Sequence, residues 1–145
     1  MKVNSIDHMS FTVADIERSL AFYRRLGFEP DKRYISTGPD AAAGTGTPGA
    51  DIDIGWLRHR EGGPMLELLR YQNKAAGRSA HNSEVGAAHI CLNVEDVEAA
   101  YADLKQDGVP FVSAPHSDQY GVTWVYMRDP DGNVVELLQQ PEQAR

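Results

Sequence analysis

Four residues of this sequence have the types and the placement to hold one divalent metal ion: His8, Glu67, His89 and Glu136. Neutral imidazole nitrogens combined with carboxylate oxygens suit borderline divalent ions such as nickel, zinc, cobalt, manganese or iron(II). Four protein ligands on a six-coordinate ion leave two neighbouring positions free, room for a substrate with adjacent oxygens. Buried without a metal, two carboxylates side by side would repel, and one would hold a proton. A lone histidine on a strand is ordinarily structural, so the weight of this set comes from repetition.

The pattern occurs twice. Sliding the segment that begins at Ile6 against the one at Ala87 superposes His8 on His89, Val13 on Val94, Asp15 on Asp96, Glu17 on Glu98 and Gly27 on Gly108. Farther on, Glu67-Leu68-Leu69 matches Glu136-Leu137-Leu138 at a different offset. The first copy carries about a dozen extra residues, most simply placed in the Gly/Ala/Pro/Thr stretch 36–50.

The elements that must position these side chains read alike in both copies. Met9, Phe11 and Val13 alternate with His8, Ser10 and Thr12, as on a strand with one apolar face. Ile90, Leu92 and Val94 alternate in the same way with His89, Cys91 and Asn93. Asp15 can cap a helix whose apolar positions are Ile16, Leu20, Tyr23 and Leu26, with Gly27 as its left-handed stop. Asp96, the apolar set Val97, Ala100, Tyr101 and Leu104, and Gly108 repeat that arrangement. Three extended runs follow each helix, over 30–37, 51–59 and 65–71 in the first copy and 109–114, 122–128 and 133–139 in the second. Asp129-Pro130-Asp131-Gly132-Asn133 is a turn signal between the last two.

The expected fold is therefore α+β: one domain, 1–145, made of two tandem βαβββ modules, 1–72 and 86–140, joined by a polar linker. In each last strand the glutamate alternates with apolar residues, Leu66 and Leu68 around Glu67, Val135 and Leu137 around Glu136. If the apolar faces pack on the helices, each module turns one imidazole and one carboxylate to the opposite face, and two such sheets side by side would cup a cavity.

Three stretches carry a family likeness: IDHMSFTVADIERSLAFYRRLGF, GAAHICLNVEDVEAAYADLKQDGV and DPDGNVVELL. On them the chain resembles the vicinal oxygen chelate superfamily, which includes glyoxalase I, methylmalonyl-CoA epimerase, extradiol ring-cleaving dioxygenases, and bleomycin- and fosfomycin-resistance proteins. The resemblance covers nearly the whole chain and implies paired βαβββ modules forming a cupped mixed sheet around a metal. Its ligand positions fall here on His8, Glu67, His89 and Glu136, a quartet similar to that of bacterial glyoxalase I. The epimerase usually carries an amide where this chain has Glu67. Extradiol dioxygenases use two histidines and one glutamate on iron(II).

The resemblance thus implies a metal-dependent lyase or isomerase, glyoxalase I-like or methylmalonyl-CoA epimerase-like, acting through metal-stabilised enolate chemistry on a small molecule. Glu136 is the first choice for the proton-abstracting base and Glu67 the second. The family also implies a homodimer. Two alternatives stay open: a drug- or metabolite-sequestering protein of the bleomycin-resistance type and, third, a ring-cleaving dioxygenase. Whether the site closes within one chain or across a dimer is open as well.

Other residues fill in the picture. Ser10 and Cys91 share the histidine faces, and Cys91 reads as pocket lining rather than nucleophile, since no activating partner is evident. Trp56, Leu69, Tyr71, Trp124 and Tyr126 are candidate substrate walls, while His59, His81 and His116 read as surface residues. The glycine spacing at 44–49 matches a dinucleotide-binding pattern, but a strand-like run follows where a helix is required. The stretch 36–50 reads instead as a mobile loop and a candidate lid.

A net charge of −7 argues against nucleic acid as a partner. The local basic set Arg58, Arg60, Arg70, Lys74 and Arg78 reads as a solvated face. One cysteine permits no intramolecular disulfide, and neither a signal-like N-terminus nor a membrane-length apolar run is present. The expected setting is the cytoplasm.

Overall fold

The computed structural model describes residues 3–72 and 81–141. The chain divides into two compact units, Met1–Gly77 and Arg78–Arg145. The expected linker, 73–85, straddles that division, and its part 73–80 lies outside the described residues.

The first unit runs β1 (His8–Thr12), α1 (Ile16–Arg25), β2 (Phe28–Thr37), α2 (Gly38–Thr45), β3 (Asp51–His59) and β4 (Met65–Tyr71). Its sheet has the order β1-β4-β3-β2, with β1 parallel to β4 and the other pairs antiparallel. Asp15 caps α1 by accepting a hydrogen bond from the Arg18 amide at 3.0 Å. Gly27, at φ +88°, supplies the left-handed turn after it.

The helix lies on the face expected from strand alternation. Phe11 stacks on Tyr23 of α1, and Leu66 and Leu68 of β4 are fully buried. Ile16 comes so close to β3 that a methyl group at Gly55 would sit 3.3 Å from its Cγ2. His8, Ser10 and Glu67 are therefore left on the opposite face, because successive strand residues alternate sides.

The 36–50 stretch departs from its reading as a mobile loop. It completes β2, forms α2 with Pro39 in the first turn, and ends that helix at Gly46 in the left-handed conformation. Ala41 of α2 is buried with Ala50, Ile52 and Ile54, and Trp56, Leu69 and Tyr71 pack against this cluster. Trp56 opposes Glu67, and Ile54 opposes Leu69, so α2 rests on the same face of the sheet as the glutamate. Burial of that apolar face is what holds the insertion in place.

The second unit runs β5 (His89–Asn93), α3 (Val97–Gln106), β6 (His116–Ser117), β7 (Thr123–Arg128) and β8 (Val134–Gln139). Its sheet repeats the order of the first, β5-β8-β7-β6, with β5 parallel to β8. Asp96 caps α3 through the Ala99 amide at 2.9 Å, and Gly108 follows it at φ +81°. The expected strand at 109–114 does not form. Only a Phe111–Met127 bridge and the short β6 occupy that edge. Pro110 and Pro115 bracket the segment, and a proline offers no amide to a ladder.

The turn before β8 is held by Asp129, whose Oδ1 accepts from the amides of Asp131 and Asn133 at 2.9 and 2.8 Å. The two four-stranded mixed sheets with their helices make this an α+β fold. Among the described residues no helix is long and apolar enough to cross a membrane.

Candidate functional site

In the first unit the parallel pairing of β1 with β4 sets Ser10 opposite Glu67 and His8 two residues along the same face. His8 Nε2 lies 3.6 Å from Glu67 Oε2. The other ring nitrogen, Nδ1, donates to Asp7 Oδ1 at 2.8 Å, so that in the neutral ring the lone pair falls on Nε2, the nitrogen facing Glu67. The indole of Trp56 meets the His8 ring edge-on, with centroids 4.8 Å apart. Burial holds the Glu67 carboxyl above the usual range, and the charges of His8 and Lys32 counter this in part.

The second unit repeats the geometry more tightly. Cys91 opposes Glu136 across β5 and β8, and His89 Nε2 lies 3.0 Å from Glu136 Oε2. Tyr126 occupies the place of Trp56, opposite the glutamate on β7 and edge-on to the histidine at 5.4 Å. Here the flanking residues also bond the carboxylate. Burial, then the charge of Glu136 and a hydrogen bond to it, push the Cys91 thiol up to about 11. The same causes raise the Tyr126 hydroxyl. Cys91 is therefore a thiol rather than a thiolate at neutral pH, in keeping with pocket lining.

Each unit thus brings its own histidine and glutamate together. Within neither unit do three or more His, Cys, Asp or Glu side chains gather as a metal-holding group among the described residues. The candidate wall residues divide. Trp56 and Tyr126 touch the histidines, Leu69 and Tyr71 pack under α2, and Trp124 meets His116 edge-on at 4.9 Å.

His81 and His116 are exposed, as expected, but His59 is not a simple surface residue. Its Nε2 donates to the Leu26 carbonyl at 3.1 Å and its ring packs on Phe28, so it secures the end of α1. In the basic set, Arg58 and Arg60 are exposed, whereas Arg70 is half-buried and donates to the Ala14 carbonyl at 3.2 Å. Lys74 and Arg78 lie outside the described residues. Asp7 is the contact that strand alternation alone does not show; its position directly before His8 was the available signal.

Over residues 5–137 the chain matches the family described as the Glyoxalase/Bleomycin resistance protein/Dioxygenase superfamily. It belongs to that superfamily.

Among its superfamily relatives, a 2-epi-5-epi-valiolone epimerase from Actinomyces is 30% identical over 97% of this chain and 81% of the relative. A lactoylglutathione lyase from Pseudomonas putida is 35% identical over 92% of this chain and 83% of the relative. A lactoylglutathione lyase from Schizosaccharomyces pombe is 31% identical over 92% of this chain, which spans only 44% of that longer protein. The crystal structure of a glyoxalase family protein from Bacillus cereus matches the fold with a TM-score of 0.86, at 21% identity over 96% of this chain and 95% of that one.

The residues present suit the divalent ion that this superfamily implies. Each half offers one imidazole nitrogen and one carboxylate on a common face, the His8 ring is already oriented by Asp7, and nitrogen–oxygen donors of this kind match borderline ions.

Proposed function

We propose that this protein is a divalent-metal-dependent enzyme of the glyoxalase I or epimerase type. It moves a proton at a carbon beside a carbonyl in a small substrate with adjacent oxygens. The observation that carries this reading is the doubled pair: His8 against Glu67 at 3.6 Å and His89 against Glu136 at 3.0 Å, on equivalent strands of two modules. A lyase and an epimerase among the relatives support the same class of chemistry.

The ligand set is His8, Glu67, His89 and Glu136, for nickel, zinc, cobalt, manganese or iron(II). When bound, the ion supplies Lewis-acid polarisation of a substrate carbonyl. The chain supplies the proton chemistry. Glu136 is the first acceptor of the carbon-bound proton, and its buried carboxylate has the Cys91 thiol and the Tyr126 hydroxyl as its neighbours. Glu67, flanked by Ser10 and Trp56, takes the second role, returning or receiving the proton from its own side. In the first unit Ser10 and Trp56 flank Glu67, with Leu69 and Tyr71 farther along the sheet, and in the second Cys91 and Tyr126 flank Glu136, with Trp124 farther along; these are the substrate-facing residues we propose for each half. The single cysteine fits a cytoplasmic protein, and a homodimer is the assembly we propose, to be read by sedimentation.

The test is metal content, measured on protein purified without chelators and again after incubation with nickel, zinc and cobalt. Wild type retains close to one ion per chain, and His8→Ala and His89→Ala each lose most of it. The loaded protein then exchanges the α-proton of hydroxycarbonyl compounds for deuterium, and Glu136→Gln does not. A wild type that stays metal-free throughout would overturn the enzymatic reading in favour of sequestration.

A further inference from the structure

On β2 of the first unit, the charged residues around Lys32 are all matched. Glu29 lies 3.7 Å from Arg24, Asp31 lies 3.2 Å from Arg58, and Arg33 bonds both Asp53 and Glu17. Lys32 makes no ion pair at contact distance among the described residues; the carboxylate its charge acts on is Glu67, on the same face of the sheet. Its ammonium sits 4.7 Å above the centre of the Trp56 ring.

A β-bulge explains how it comes to be there. Pro30 opposes Leu57 and Lys32 opposes Trp56, so Asp31 is an extra residue with no opposite number. Were Asp31 paired with Trp56 in regular register, Lys32 would oppose Gly55 and point toward α1. The bulge re-aims it to the other face. Lys32, Trp56, Glu67 and Ser10 then form one row across the four strands. The lysine is exposed, and the cation–π contact fixes its position while leaving its N–H donors available. Beneath it, Trp56 Nε1 is buried without a hydrogen-bond partner, so packing, not hydrogen bonding, sets the indole plane.

We propose that Lys32 is a specificity residue that binds a second, non-chelating carboxylate of the substrate. This rests on the reading that the His8–Glu67 face is a substrate site. One ammonium balances one carboxylate. A phosphate dianion would call for another cation, and Arg58, next on that face of β3, is already engaged by Asp31. The substrate class is then a small anion with adjacent oxygens at one end and a carboxylate a few bonds away.

The experiment is calorimetric titration of the intact protein, as purified and after nickel loading, with 2-oxoglutarate and 2-oxopentanoate. These share the 2-oxo acid head and differ in the distal carboxylate. Wild type binds 2-oxoglutarate roughly three- to tenfold more tightly, an advantage that shrinks with added salt. Lys32→Gln abolishes the preference, while any change in metal content from the lost charge beside Glu67 affects both acids alike, and Lys32→Arg keeps most of the preference. A metal-loaded wild type that binds both acids equally, or a Lys32→Gln protein that still prefers 2-oxoglutarate, overturns the role of Lys32 alone. A metal-free protein that binds neither acid overturns the site reading beneath it, and this inference with it.

Discussion

The guanidinium of Arg33 grips the buried carboxylate of Asp53 through two hydrogen bonds, Nε to Oδ1 at 2.9 Å and Nη2 to Oδ2 at 2.6 Å. Its remaining arm reaches Glu17. One side chain thereby ties β2, β3 and α1 together on the helix side of the first sheet, away from the His8–Glu67 pair.

Replacing Arg33 with methionine should destabilise the protein by about 1–3 kcal/mol at pH 7, since a buried carboxylate loses its partner. The half-exposed guanidinium keeps the cost below that of a fully buried pair. Arg33 also holds the Asp53 carboxyl below the usual carboxylate range. Its contribution is therefore present above the unfolded value of about 4 and disappears as the pH falls through the lowered folded value. Urea melts of wild type and variant should converge toward acid pH. A gap that stays constant from pH 7 into strong acid would refute the assignment.

The two helix-ending glycines should respond differently to alanine. Both have positive φ, +88° at Gly27 and +81° at Gly108, so each substitution costs about 1 kcal/mol in backbone strain. A methyl at Gly27 would also fall 2.8 Å from His59 Nε2, while at Gly108 nothing lies within 4 Å. Thermal melts should show a larger loss for Gly27→Ala, because it must displace the imidazole from the Leu26 carbonyl. Equal losses would show that His59 yields freely.

Cys91 should react sluggishly with a thiol-directed disulfide reagent at neutral pH, although the residue is exposed. The rate should climb with pH toward about 11, where the thiol ionises. Glu136→Gln removes the negative neighbour and should speed the reaction at a given pH. An unchanged rate in that variant would separate the thiol from the glutamate.

The fold was largely legible because alternation and helical spacing are written directly into the chain. The runs 51–59 and 65–71 coincide with β3 and β4, and Asp15 and Asp96 cap the helices they precede. The His–Glu pairs followed from the same periodicity, since one residue's shift in register would have turned Glu67 into the helix face. What escaped depends on contacts that periodicity does not encode. Ala41 to Ala43 are good helix formers between Pro39 and Gly46, yet the surrounding glycines and threonines masked the signal. Lys32 was overlooked because a bulge reverses the face that counting assigns, and Arg33–Asp53 because its partners come from separate strands.

The parallel pairing of each module's opening strand with its closing strand has a consequence for how the protein comes into being. The imidazole is made early in a module and its carboxylate near the end, so loop closure over the whole module must precede any encounter between them. A nascent or partly unravelled module offers an ion no paired donors. Capacity to capture the proposed ion should then appear late in refolding, together with the final strand, and vanish first when that strand frays.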